Sequence, residues 1–181
     1  MSTLLNYRTQ KDAFFRSSGQ SPLTREHQKM FKGLSYFAED PAYRFVVPWQ
    51  AMASPEPIQM ATSTGLIAPF LKVGKVEFTV AGMPQSLQLY QAEDQDDLFL
   101  PFMDMTSGSE SYGGGRYLDV ERRLDGAIVL DFNLAYNPYC AYNAQWSCPL
   151  PPSENRLAVR IEAGEKTFLD HETQADKALP K

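Results

Sequence analysis

The chain has 181 residues, 43% of them hydrophobic and 22% charged, and a net charge of −5. That is enough for one domain with a real core, and the acidic balance speaks against nucleic acid, whose binders present a clustered basic face. The densest basic run, Arg122-Arg123 near Arg116, is interrupted by Asp119 and Glu121 and reads as a solvated face. No window approaches the ~20 consecutive apolar residues of a membrane span, and the first residues lack the apolar core of a signal peptide. A cytoplasmic protein with no membrane partner is therefore expected.

Residues 1–40 read as a helical leader. Lys11-Asp12-Ala13-Phe14-Phe15-Arg16 is a short amphipathic patch closed by Ser17-Ser18-Gly19. Ser21-Pro22 resembles an N-cap followed by proline at the first helical position, where its missing N–H costs nothing. That second helix is expected to run through Glu26, Met30 and Phe31 to Gly33, with His27 beside the apolar stripe of Leu23, Met30 and Phe31.

After Asp40-Pro41 the period shifts toward two, and residues 41–168 read as a β-rich domain. Arg44-Phe45-Val46-Val47 is a strand candidate ended by Pro48, and weaker candidates cover 57–63 and 65–73. Lys75 to Val80 is the clearest strand, with Val76, Phe78 and Val80 on one face. Ala81-Gly82 turns it into Ser86–Tyr90 as a hairpin. Leu98 to Phe102 follows, with Pro101 marking an edge or bulge. Arg116–Leu124 and Ala127–Asn133 flank Asp125-Gly126, a two-residue hairpin signal. Leu157 to Ile161 is a last alternating strand, and residues 169–181 are a polar tail. About seven or eight short strands after a helical leader indicate a mainly β fold, a single-domain antiparallel β-sandwich or partly open barrel with N-terminal helices.

The chemistry-bearing residues concentrate between Asp104 and Lys166. With Ile128, Leu130 and Phe132 toward the core, Asp131 and Asn133 share the opposite face. A two-residue turn at Asp125-Gly126 pairs Leu124 with Ala127, sets Val120 opposite Asp131 and Leu118 opposite Asn133, and so brings Arg116 near Asn133. One residue of slip breaks that grouping. Gly113-Gly114-Gly115 before Arg116 has the composition of an anion nest, although a tight loop entering a strand explains it as well. Asn133, Asn137, Asn143 and Asn155 suit irregular loops, as braces or as ligand contacts.

Candidate catalytic groups are Asp131 and Glu154 as general bases and Cys140 as a nucleophile. A nucleophilic thiol normally needs a nearby base, and neither His27 nor His171 is close in sequence, so inert buried thiols are the simpler reading of Cys140 and Cys148. Their spacing matches no usual zinc motif, and no metal site is expected. No local signature identifies a cofactor, flavin included.

Gly113–Leu118, Asp131-Phe132-Asn133 with Asn137–Ala141, Cys148–Pro152 with Glu154–Leu157, and Ala163-Gly164-Glu165-Lys166 together resemble an uncharacterised prokaryotic family known as a domain of unknown function. The resemblance spans roughly residues 10–168. It implies a relative and no reaction. Two functional readings follow. In the first, Asp104, Arg116, Asp131, Asn133 and Asn137 bind a small polar or anionic molecule near the 113–116 loop and the 131–143 segment, with hydrolysis by a carboxylate as an extension. In the second, the same motifs brace a non-catalytic interaction or structural module.

Overall fold

Each strand of this chain is hydrogen-bonded to its neighbour in sequence, and the last pairs with the first. The computed structural model describes residues 3–93 and 95–168, so the tail expected over 169–181 lies outside the described residues. Among them, β1 (Arg44–Ala61), β2 (Ile67–Val80), β3 (Met83–Ala92), β4 (Leu98–Phe102), β5 (Arg116–Arg122) and β6 (Ala127–Asp131) close an antiparallel barrel in that order. Of the two expected architectures the barrel is the one formed. No helix among the described residues is long and apolar enough to cross a membrane.

The strand expected to stop at Pro48 and the one expected from residue 57 are a single long β1. Residues 44–48 of β1 pair with β6, and from Trp49 onward the partner is β2. A stretch paired on one side leaves room for a residue without an N–H, so Pro48 does not end the strand. Farther along, the register of β1 against β2 shifts between Ala51 and Glu56, around Pro55.

Helix α1 (Thr3–Ser17) starts earlier than the amphipathic patch indicated, and α2 (Arg25–Met30) starts later. Thr24, not Ser21, caps α2, accepting the His27 N–H at 3.2 Å. Ser21 instead closes the preceding turn, donating to the Phe15 carbonyl at 2.7 Å and accepting the Leu23 N–H at 3.2 Å. Phe15, Leu23 and Phe31 of the leader form a small second core with Tyr142. The helices thus pack on the 139–142 segment.

The β5–β6 hairpin is one residue out of the expected register. Glu121 pairs with Val129 and Arg122 with Ile128, while Arg123 donates to the Ala127 carbonyl at 2.8 Å. The loop therefore holds three residues, Leu124-Asp125-Gly126, with Gly126 at φ +84°, a common hairpin form in which the last loop residue is left-handed. Asp125 stabilises it by accepting the Ala127 N–H at 3.1 Å. The apolar pattern favours this register: residues directly opposite share a face, and pairing Val120 with Asp131 would have mixed core and surface.

Leu157, Val159 and Ile161 alternate inward as expected, yet they belong to no strand of the barrel. Their backbone groups are satisfied piecemeal, Leu157 N–H by Met103, Val159 C=O by Met105, and Ile161 N–H by the Asp104 carboxylate at 2.8 Å. The segment lies against the mouth of the barrel with a strand's periodicity and side chains in place of ladder partners.

The lumen is filled. Phe132 contacts Phe78 at 5.6 Å, Phe102 at 5.2 Å and Phe45 at 6.1 Å between ring centroids, and Leu87, Leu89, Leu100, Leu118 and Leu130 close the gaps around them. A barrel of this size has room for its own side chains and little else. Any ligand site must lie outside it.

The barrel is thinnest between β3 and β4, where one residue pair, Tyr90 and Phe99, is in register. The fully buried Asn155 side chain stitches this seam. Its Oδ1 accepts the Gln88 N–H at 2.7 Å, and its Nδ2 donates to the carbonyls of Gln88 at 2.9 Å and Pro101 at 2.8 Å. One side-chain amide thus acts as a missing peptide unit. Asn155→Ala strands three backbone groups and is expected to cost roughly 3 kcal/mol in urea unfolding. A loss under about 1 kcal/mol would show that the seam does not depend on the amide.

Candidate functional site

Residues that point outward on β4 and β5 become the floor of a cleft. Leu98, Leu100, Leu118 and Val120 face the lumen, so strand alternation sends Phe99, Tyr117 and Asp119 to the outer wall. Phe70 of β2 lies opposite Ala92 of β3. The short alanine lets the phenylalanine ring reach over to Phe99, on which it stacks at 5.5 Å. Phe99 meets Tyr117 edge-on at 4.7 Å, and Tyr117 meets Tyr136 at 5.8 Å. An aromatic row therefore crosses the outside of the barrel.

The segment from Tyr136 to Pro149 arches over that row. Tyr136 is fixed to β5 by a reciprocal pair of backbone bonds with Tyr117, 2.8 and 3.0 Å, and its hydroxyl donates to Asp119 Oδ1 at 2.9 Å. Burial, followed by the Asp119 charge, raises the Tyr136 pKa, which keeps the hydroxyl a donor. The Tyr117 hydroxyl donates to the Pro149 carbonyl. The β1–β2 turn clamps the far end of the arch: Ser63 N–H donates to the Cys148 carbonyl at 2.8 Å and Cys148 N–H to Ser63 Oγ at 3.1 Å. Between arch and floor lies a cleft of about 720 Å³, lined by Phe70, Phe99, Tyr117, Tyr136, Tyr139 and Trp146 with the carboxylates of Asp97 and Asp119. Trp146 packs edge-on against Tyr139 at 5.1 Å and is still 41% exposed, leaving part of its ring free.

The residues expected to form a site are distributed among several places. Arg116 and Asp104 do meet, deep in the interior. Arg116 Nη2 donates to Asp104 Oδ1 at 3.1 Å and to the Ile161 carbonyl at 2.8 Å, while Nη1 donates to the carbonyls of Ala163 and Glu165. The guanidinium lies between the rings of Phe37 and Phe102. Burial lowers its pKa and the Asp104 charge opposes the shift. Asp104 is further held by Thr106 N–H, Thr106 Oγ1 and Ile161 N–H.

Asp131 and Asn133 stay together but without Arg116, which corrects the grouping drawn from the two-residue turn. Asp131 accepts both the backbone N–H and the side-chain amide of Asn133, and pairs with Arg44 at 3.5 Å. Asn133 is also tied to the Asp40 backbone in both directions, at 3.0 and 2.9 Å. The two residues line a smaller hollow of about 330 Å³ beneath α1, which shares Asp119 and Tyr136 with the larger cleft. Asn137 is buried beside Glu165 and donates to the Lys166 carbonyl at 2.8 Å.

Glu154 sits elsewhere, accepting the Tyr90 hydroxyl at 2.6 Å and facing Lys72 at 3.1 Å. Cys140 lies with Cys148 within the arch. The three candidate catalytic groups therefore have separate sets of partners. The glycine run packs tightly: a Cβ on Gly115, at φ +88°, would stand 2.6 Å from Pro151 and 2.7 Å from the Phe102 carbonyl.

Sequence reasoning did not single out Glu165. This buried carboxylate accepts from Lys11 Nζ, from the Tyr142 hydroxyl and from the Asn137 N–H, the last at 2.9 Å. It joins α1 to the arch. Nor did it bring Asp97, Asp119, Phe70 and Phe99 together as one wall, because they come from three separate stretches of chain.

The described residues thus form a mainly β protein, an antiparallel barrel with a filled lumen. The chain belongs to the family described as "Protein of unknown function (DUF1684)", whose model matches residues 29–166. It is similar to an uncharacterized protein of Haloarcula marismortui solved in solution by NMR, at 42% identity and a TM-score of 0.72, covering 93% of this chain and 94% of that one. None of the curated proteins matches it.

Removing one member of a buried, hydrogen-bonded ion pair leaves the other uncompensated. Arg116→Met and Asp104→Asn are accordingly each expected to lower unfolding free energy by about 3–5 kcal/mol, the second because it leaves Arg116 unpaired and sets an amide NH2 against donors that the carboxylate accepted. Chemical denaturation of both variants checks this, and an Arg116→Met protein of native stability would refute it.

Proposed function

We propose that this protein binds a small molecule in the aromatic cleft, and that the ligand has a planar or apolar body carrying a cationic or hydrogen-donating group. The observation behind this reading is the pairing of an aromatic wall with Asp97 and Asp119 in a cleft of about 720 Å³, a volume within the usual range for small-molecule sites. Aromatic faces attract cations through their quadrupole, and the carboxylates add charge of the right sign.

The reading keeps the expected location in part, since Tyr136, Pro138 and Tyr139 form one wall. It changes the expected chemistry. The anionic ligand inferred from Arg116 loses its support because that guanidinium is enclosed and engaged with three carbonyls and Asp104. Hydrolysis gains no support from Asp131 or Glu154, neither of which lines the cleft. Internal partners favour a bracing role for Asp104, Arg116, Asn133 and Asn137, as the second reading of the sequence has it. That role leaves the cleft itself unaccounted for.

Calorimetric titration with phenyltrimethylammonium is expected to give saturable binding, weakened about tenfold in Asp119→Asn. Benzoate, with the same ring and the opposite charge, is expected to give none. Equal heats for the two compounds, or an Asp119→Asn protein that binds like the parent, would sink the proposal.

A further inference from the structure

Seven residues separate Cys140 from Cys148 in sequence, a spacing that matches no zinc motif, yet the arch folds them onto each other. The Cys140 N–H donates to Cys148 Sγ at 3.2 Å, which sets the Cys148 sulfur against the backbone of Cys140. Both are free. Cys148 is buried and clamped by Ser63, whereas Cys140 is partly exposed and faces the Tyr112 hydroxyl at 3.8 Å from its sulfur.

We propose that Cys140 and Cys148 form a redox-active dithiol in which Cys140 attacks a low-molecular-weight disulfide and Cys148 resolves the product. The geometry assigns the roles. Cys140 is the more exposed of the two residues, and the Tyr112 hydroxyl lies 3.8 Å from its sulfur. Cys148, buried and tied to Ser63, is held against it.

The electrostatics agree with this assignment. The Cys148 thiol bond, then the Ser63 and Tyr112 hydroxyls, pull Cys140 down to about 6 from an ordinary 9.0. Cys148 is pushed up, by its bond to Cys140 and by burial, and Tyr112 is pushed up to about 12. Both shifts favour a thiolate on Cys140 over one on Cys148.

The chemistry balances as two exchanges. The Cys140 thiolate attacks one sulfur of RSSR, forming Cys140–S–SR and expelling RS⁻, which takes the proton of Cys148. The Cys148 thiolate then attacks Cys140 Sγ, forming the protein disulfide and expelling a second RS⁻, protonated from water. The dithiol loses two electrons and RSSR gains them.

The native protein is incubated with oxidised glutathione and followed by intact-mass and peptide mass spectrometry. The expected product is about 2 Da lighter than the reduced protein, with a Cys140–Cys148 cross-link and no retained glutathione. Cys148→Ser is expected to stop at a glutathione adduct on Cys140, and Cys140→Ser to slow the first modification at least about tenfold. Should either variant misfold, the wild-type map decides alone. Stable adducts without a cross-link, first modification at Cys148, or two free thiols under conditions that oxidise a control dithiol would each overturn the proposal. Because the readout is mass, it is independent of what the cleft binds.

Discussion

The buried Arg116–Asp104 pair is the interaction on which the rest of this structure depends. A guanidinium removed from water is costly unless its donors are matched, and here four of them meet Asp104 and the carbonyls of Ile161, Ala163 and Glu165. Those carbonyls belong to an extended segment without a ladder partner in the barrel. Asp104 in turn accepts the Ile161 N–H. The pair therefore holds residues 161–165 against the end of β5, and that placement delivers Glu165 to Lys11, Asn137 and Tyr142. Gly164, at φ +78°, makes the approach possible: a Cβ there would stand 2.5 Å from the Ala135 carbonyl.

Through Glu165 the interior brace reaches the arch. The carboxylate fixes Asn137 and Tyr142 from below, while the β1–β2 turn grips Ser147 and Cys148 from the side through Thr62 and Ser63. The leader helices back the same segment through Phe15 and Tyr142, whose rings lie 4.9 Å apart. An irregular segment held from three directions is a suitable wall for a binding cleft, because little conformational freedom remains to be lost when a ligand arrives. The filled lumen has the complementary role. It makes the barrel a rigid floor and leaves its outer face for recognition.

Side-chain amides and carboxylates do much of the work normally done by sheet ladders. Asn155 joins β3 to β4, Asn133 joins the Asp40 turn to the end of β6, and Asp104 anchors Ile161. Such substitutes fix unique partners where a ladder would allow slippage. They also explain why so many polar residues between Asp104 and Lys166 are buried without forming one reactive centre.

The sequence by itself determined the β-rich class, the inward faces of β2 and β6, and the hairpin positions, because these follow from local periodicity and turn chemistry. Val76, Phe78 and Val80 point inward as alternation requires, and Ile128, Leu130 and Phe132 do the same. It also put Asp131 and Asn133 on one face and marked Asn155 as suited to an irregular loop, leaving open whether these residues brace the fold or contact a ligand. Only the tertiary structure decided the rest. A three-residue loop instead of two moved the β5–β6 register by one and sent Arg116 to Asp104. The strand-like alternation of Leu157–Ile161 was spent on packing against the barrel mouth, since barrel closure had already used the available edges. The cleft gathers side chains from β2, β4, β5 and the arch, and Cys140 meets Cys148 only because the arch folds back. Contacts of that kind depend on barrel closure and long-range register, which no local pattern of residues encodes.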